Sequence, residues 1–465
     1  MCGICGIINF KKKPSLQIAT AMSKKISHRG PDFKTTWSND SCVVGFVRLA
    51  IIDLSNNSNQ PFVSKDKQIS IFYNGEIYNF RQLREQYFNK KIFKSDGDGE
   101  VLLHLYEKFG INFLNKVKGM FAIFITDNRK KVTYLIRDRF GIKPLYYFYD
   151  KQNKELTFCS EIQGIFENKN IKKEQNYNET YRYLKKGLVS SSEETWFKDI
   201  FQIKPSHYIE FNNNGLKSIQ YYNLESNVCE HNTNQKSFYV YLNEFKEKIL
   251  ESFKQHTVFD VKGGIHQSGG LDSTALVAIT KMLNKKFDTY TFDFENKEFS
   301  ETKNASQLSN SANLKNFTSL IKDTELENYL YKVIEIQYEP FSSLRVLSQH
   351  QLYENFKDQS KVILDGSGGD ELFAGYHYHA VAWQMDVLAE NSLKRVDKRY
   401  ELITKNHETL KKEKFMEGAK KRLTGSGSAT EDGSEYFDDN FLNKDFLKKF
   451  KCKTEIKKPF KSYLK

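Results

Sequence analysis

Residues 258–283 read VFDVKGGIHQSGGLDSTALVAITKML. The opening run VFDVKGGIH is strand-like, the glycine pair after Ser268 breaks it, and TALVAITKML is helix-forming. Strand, glycine turn and helix in that order build a parallel α/β sheet, with ligands at the carboxyl ends of the strands. Glycines let the backbone close on an anion, and the helix start presents free N–H groups and the positive end of its dipole. The spacing G-x-x-x-x-G-K is absent, so this is not a Walker loop. A second strand-like run, KVIL at residues 361–364, leads into the glycine-rich stretch LDGSGGDELFAGYHYH at residues 364–379. Upstream, Leu242, Phe245, Ile249 and Phe253 recur at helical spacing.

Toward the N-terminus the rhythm changes. Residues 223–236, NLESNVCEHNTNQK, are polar and read as a linker between a domain of residues 1–222 and one of residues 237–465. TGSGSATEDGSE, residues 424–435, reads as a flexible loop. Before the linker, short strands meet turns. ISIFY, residues 69–73, is expected to end at an Asn74-Gly75 turn; GMFAIFI, VTYLI and LYYFY follow as antiparallel strands; HYIEF and LKSI flank the hairpin signal NNNG. NFRQLREQY reads as a helix capped by Asn79. This half is α+β.

The chain has 465 residues, enough for two large domains. With 39% hydrophobic residues it can build real cores, which excludes wholesale disorder. Mean hydropathy is −0.62 and no run of eighteen apolar residues occurs, so no membrane span is expected. The chain start lacks a basic region followed by a long apolar one, so no secretory signal is read there. Cys2, Cys5, Cys42, Cys159, Cys229 and Cys452 are scattered, which excludes a disulfide framework and points to a reducing, cytoplasmic setting. The net charge, 71 − 58 = +13, is spread in ones and twos, the longest lysine run being residues 11–13. That reads as a solvated surface, with neither nucleic acid nor membrane as a partner.

Cys2 follows the initiator methionine. Removal of Met1 would make it the first residue, and its α-amine, ordinarily near ~7.7–8.0, could serve as base to its own thiol. Position alone leaves open a buried structural cysteine, or a C-x-x-C pair with Cys5 for redox or zinc chemistry. Five stretches stand in order: MCGICGIINF at residues 1–10, SHRGPD at 27–32, VRLAIIDLS at 47–55, YNGEIYNF at 73–80 and RDRFGIKPLYY at 137–147. Together they resemble the class II glutamine amidotransferase domain, an N-terminal-nucleophile hydrolase with an αββα sandwich fold. The resemblance implies that Cys2 attacks the side-chain amide of glutamine, forms a thioester and releases ammonia. It makes Asn74 and Gly75 the donors to the oxyanion, a role in which one donor is worth ~10²–10³ in rate. It assigns Arg48 to the substrate α-carboxylate, with Leu49, Ala50, Ile51 and Ile52 beside it, and Glu76 and Asp98 to the α-ammonium. SDGDGEV also offers Asp96, but spacing to Glu100-Val101 favours Asp98.

SGGLDS resembles the pyrophosphate loop of ATP pyrophosphatases, and GSGGDELFAGY resembles a segment of asparagine synthetases. A class II glutaminase followed by such a loop is the order of glutamine-hydrolysing asparagine synthetase. That family forms asparagine from aspartate, glutamine and ATP through an acyl-adenylate. The resemblance places Gln267, Ser268, Gly269, Gly270, Asp272, Ser273, Phe292, Asp365 and Gly366 at ATP, gives Mg²⁺ to Asp272 and Asp370 through hard oxygen ligands, and allows a homodimer. His377 and His379 read as packing or surface residues, not metal ligands. Three features depart from the family pattern. Ser367 stands where the family carries a glutamate; the strand before SGGLDS ends in His266-Gln267 instead of apolar residues; and a later LLR…SM…PFLD pattern is absent, so a truncated or incomplete synthetase half is expected. These leave three rivals: an acceptor other than aspartate, such as a sugar acid in polysaccharide assembly; a glutaminase-only fragment; and a tRNA-modifying relative that exploits the basic charge.

Overall fold

In a computed structural model of the chain, residues 1–187, 189, 190, 192–228 and 236–376 are described, together with His379 and Asp445. They divide into two compact units, the first built chiefly of residues 1–175 and 192–264, the second chiefly of residues 265–355 and those from 364 onward.

The first unit rests on β1 (Gly3–Asn9), β2 (Phe33–Ser38), β3 (Cys42–Arg48), β4 (Phe62–Val63), β5 (Ile69–Ile77), β6 (Gly119–Asp127), β7 (Val132–Arg137), β8 (Tyr146–Asp150), β9 (Glu155–Cys159), β10 (Ile200–Gln202), β11 (His207–Asn212) and β12 (Gly215–Gln220). They form two antiparallel six-stranded sheets, ordered β10-β8-β9-β1-β3-β2 and β12-β11-β7-β6-β5-β4. Side chains alternate across a strand, so each strand serves two layers. Even-numbered residues of β1, β3, β5 and β6, among them Ile4, Ile8, Val44, Phe46, Phe72, Ala122 and Phe124, share one core with partners from both sheets. Phe124 stacks on Phe158 at 5.1 Å and meets the edge of Phe72 at 6.0 Å. Odd-numbered Ile69, Ile71, Phe121, Ile123 and Ile125 pack instead with residues of helices Phe80–Tyr87 and Glu100–Phe109. On the other sheet Cys5 faces the helix Leu16–Lys25, its sulfur 3.9 Å from the Ala19 carbonyl. The layering is α-β-β-α, as the resemblance implied.

Four local readings change. Asn74-Gly75 is not a turn: β5 runs through it to Ile77, pairing Asn74 with Ala122 and Gly75 with Phe121. Glycine is needed there because a Cβ would come within 2.1 Å of the Met120 carbonyl oxygen. Asn79 does precede the helix Phe80–Tyr87, but its side chain makes no cap bond. It donates to the Lys116 carbonyl at 2.9 Å and accepts the Lys118 N–H at 2.9 Å, tying the start of β6 instead. The polar stretch read as a linker opens with a short helix, Leu224–Val228. The strand read over VFDVKGGIH shrinks to its last four residues, where the apolar pattern meets glycine.

In the second unit β13 (Gly263–His266), β14 (Asp288–Phe294), β15 (Asn316–Ile321) and β16 (Val362–Leu364) lie in the order β15-β14-β13-β16, with β14 and β15 parallel. The helix after the glycine loop, Leu271–Met282, starts three residues earlier than its apolar stretch. This is the expected strand–loop–helix arrangement. No helix among the described residues is long and apolar enough to cross a membrane. The loop read at residues 424–435 lies outside the described residues.

Removing the stacked ring at the sheet interface by Phe124→Ala is expected to cost about 3–5 kcal/mol. Urea unfolding of the purified chain checks this through a lowered midpoint.

Candidate active site

The alternation that builds the inter-sheet core also loads one end of it with chemistry. Cys2 precedes β1 on the face of Ile4 and Ile8 and packs against the same core. Its thiol donates to the Leu49 carbonyl at 3.6 Å, and the Leu49 N–H donates back to sulfur at 3.4 Å. Burial raises the Cys2 thiol; the Leu49 N–H, the nearby amino terminus and Arg48 oppose this. Cys5, three residues on, lies on the opposite face under a helix, so the two do not form the C-x-x-C pair that position alone had left open. The Met1 amine is held down to about 6, chiefly by burial, with Arg29 and Lys143 adding to it.

The donor assigned to the oxyanion is free. Asn74 is 1% exposed, and its Nδ2 has no hydrogen-bond partner. Such an orphan costs about 1–3 kcal/mol, a penalty that a substrate oxygen would cancel. Glu76, next on the same face of β5, is pushed well above the usual carboxylate range by burial and then by the charge of Asp98. Asp98 is raised by burial too, although it accepts the Tyr73 hydroxyl and, at 2.7 Å, the Ile77 N–H. Two buried carboxyls that repel each other suit a cation such as an α-ammonium.

Arg48 departs from its expected part. It is 6% exposed and neither in a surface ion pair nor an open fork. Its Nη1 donates to the Ser55 carbonyl at 3.0 Å and Asn59 Oδ1 at 2.8 Å, and its Nη2 to the carbonyls of Ile52 and Asp53. It shapes the loop after β3, and its terminal nitrogens are occupied there. The neighbouring Ala50 N–H donates to Asp32 at 2.7 Å, while Ile51 stays half-buried on the same loop.

Sequence reading quoted the motifs but missed several of their residues. Arg29, of SHRGPD, donates from Nε to the Cys2 carbonyl at 3.0 Å and from Nη1 to Glu161 at 2.8 Å, clamping the chain start. Lys143, of GIKPLYY, is 5% exposed and donates from Nζ to the Met1 sulfur at 2.9 Å. Burial lowers its amine and Glu76 partly restores it. Tyr73 is the hydroxyl that holds Asp98. Each lay inside a quoted stretch, but only the fold reveals what it touches.

In the second unit Gly269, at φ +79°, turns the chain so that Gly270 caps the helix Leu271–Met282. Ser273 Oγ donates to the Gly270 carbonyl at 3.1 Å and lies 3.3 Å from Ser268 Oγ, closing the loop. The second glycine loop lies directly on it: a Cβ at Gly366 would meet Asp272 Cβ at 3.0 Å, and one at Gly369 would meet Asp272 Oδ2 at 2.3 Å. Asp272 is raised by burial and by the charges of Asp370 and Glu371. Gln267 is 0% exposed, its Oε1 accepting from Ser309 at 2.6 Å and its Nε2 donating to the Ala305 carbonyl at 3.2 Å, so its side chain serves the core and offers no hydrogen bond to a nucleotide. Phe292 stays half-buried against His266. His379 stacks on Tyr376 at 5.8 Å, in keeping with the packing reading; His377 lies outside the described residues. Among the described residues no group of three or more His, Cys, Asp or Glu is arranged to hold a metal ion.

Of the four cysteines among the described residues, Cys5, Cys42 and Cys159 are fully buried and Cys2 is partly accessible. Iodoacetamide is expected to label Cys2 before those three. In chains that keep Met1 the rate should still be rising above pH 9.0, the ordinary thiol value, because the thiol is raised. Peptide mass spectrometry against pH checks both points.

Comparison with known proteins gives the family. Residues 1–222 match the family described as glutamine amidotransferase domain, and residues 244–450 the family described as asparagine synthase. A Methanocaldococcus jannaschii protein bearing the name asparagine synthetase [glutamine-hydrolyzing] 2 is 32% identical over 410 residues, covering 83% of this chain and 78% of that protein. Asparagine synthetase [glutamine-hydrolyzing] 2 of Bacillus subtilis is 33% identical over 400 residues, 81% of this chain and 52% of its own. Asparagine synthetase B of Escherichia coli is 28% identical over 423 residues, 85% and 68%. The chain thus spans about half the length of the Bacillus relative.

Proposed function

The chain belongs to the glutamine-hydrolysing asparagine synthetase family, a family of ATP-dependent amidotransferase ligases, and from that premise we propose that it moves the amide nitrogen of glutamine onto a carboxylate, aspartate first among acceptors. The work divides between a glutaminase of residues 1–222 and a synthetase of residues 237–465. The observation that carries the reading is the buried, unpartnered Asn74 amide at the end of the core that also receives Cys2 and Glu76.

In this reading Met1 is removed and the Cys2 α-amine takes the thiol proton. The thiolate attacks the amide carbon of glutamine. Asn74 Nδ2 and the Gly75 N–H take the developing oxyanion, and Glu76 and Asp98 hold the α-ammonium. The C–N bond breaks as the Cys2 ammonium returns its proton to the leaving nitrogen, releasing ammonia and a thioester that water hydrolyses to glutamate. Arg48 contributes by fixing the loop of Leu49 to Ile52, whose backbone borders the sulfur.

At the second site the acceptor carboxylate attacks the α-phosphorus of ATP and pyrophosphate leaves; ammonia then displaces AMP. Ser268, Gly269, Gly270 and Ser273 cradle the phosphates, with Phe292, Asp365 and Gly366 toward the nucleotide. Asp272, raised in part by the charge of Asp370, and Asp370 would offer Mg²⁺ two hard oxygen ligands, and the ion would neutralise the pyrophosphate. Ser367, in place of a glutamate, favours a second reading in which the acceptor is a different carboxylate; pyrophosphate release across a panel of carboxylates separates the two.

Cys2→Ala is expected to abolish glutamine hydrolysis and glutamine-dependent product while sparing pyrophosphate release driven by ammonium salts. Loss of both together would contradict two separable sites. Asn74→Ala should lower glutaminase kcat by ~10²–10³, read as glutamate formed per minute.

A further inference from the structure

Two of the features that set this sequence apart meet at one carboxylate. His266 ends β13, and Ser367 stands in the second glycine loop. Asp365 lies between them. Its Oδ2 is 2.6 Å from His266 Nδ1, while its Oδ1 accepts the Ser367 N–H at 2.7 Å and the Ser367 hydroxyl. These bonds hold Asp365 well below the usual carboxylate range, so it is ionised and can only accept. His266 Nδ1 therefore carries the proton. The imidazole is 3% exposed, with Phe292 at 5.5 Å and Tyr353 at 6.1 Å, and its Nε2 has no partner. The ring is fixed by packing, and its one hydrogen bond goes to Asp365. From Asp365 the constraint runs on: the glycines at 366 and 369 press on Asp272, with the Gly369 N–H donating to the Gly366 carbonyl at 3.2 Å.

We propose that His266 is a positioning residue of the synthetase site, bracing Asp365 so that the loop of residues 365–370 seats on Asp272. The inference rests on the functional reading above and adds to it the residue that sets the loop. His266 acts through Asp365, as outer hydrogen-bond partners act on the groups that hold a metal or phosphate.

The test compares His266→Leu and His266→Asn with the unaltered chain. Leucine fills the space but removes the donor; asparagine keeps an N–H near the position of Nδ1. Ammonium-dependent pyrophosphate release is measured against ATP concentration, with glutaminase rate and unfolding midpoint as controls. His266→Leu should lower kcat/KM for ATP by ~10–100-fold with glutaminase unchanged, and His266→Asn should recover most of it. An unaltered kcat/KM in His266→Leu overturns the proposal. So does His266→Asn being as impaired as His266→Leu, since loss of the ring's packing would then suffice. If the unaltered chain releases no pyrophosphate with any carboxylate, the functional reading fails, and the brace is judged from the thermal shift that ATP induces. A shift lost in His266→Leu and kept in His266→Asn supports it; equal shifts in all three, or none, overturn it.

Discussion

The N-terminal half depends on one constraint: two antiparallel sheets must bury the same face of each strand against the other. With a side-chain period of two, a register slip of one residue would exchange every layer. The packing that puts Ile4, Phe46, Phe72 and Phe124 into one core also fixes where the polar residues at the ends of those strands must point. Cys2 stands ahead of Ile4, Arg48 beyond Phe46, and Asn74 and Glu76 beyond Phe72, all in step by two. The site is the frayed end of the core, where the same alternation delivers polar side chains instead of apolar ones.

That end is electrostatically incomplete. It holds an amide donor without an acceptor and two carboxyls raised by burial, one of them also by the charge of the other. Each imbalance costs stability in the free protein, and each suits a different part of an amino-acid amide: the carbonyl oxygen and the α-ammonium. Arg48 shows the converse. A residue expected to meet substrate has its terminal nitrogens already satisfied, and its contribution is the shape of the loop beside the sulfur.

Much of this was legible from residue order. The strand and helix periods gave the two halves, and the resemblance carried by the five ordered stretches named Cys2, Asn74 and Glu76, with Asp98 from SDGDGEV, as the residues to look for. What could not be read was whatever depends on a cross-strand neighbour. Asn74-Gly75 looks like a hairpin turn in one dimension; only the Met120 carbonyl lying against it reveals a strand interior. Nothing in the order of residues says that Ser309 and Ala305 hold the side-chain amide of Gln267. His266 and Ser367 are about a hundred residues apart, and nothing in their spacing says that they share Asp365.

The central claim is that a processed Cys2 is the nucleophile of a glutamine site. It is tested most directly by intact-protein and peptide mass spectrometry after incubation with an electrophilic glutamine analogue. The account predicts a chain lacking Met1 that carries a single adduct on the sulfur of Cys2, with excess glutamine protecting it. Glutamine hydrolysis by a chain that keeps Met1, or an adduct on another residue, would contradict it.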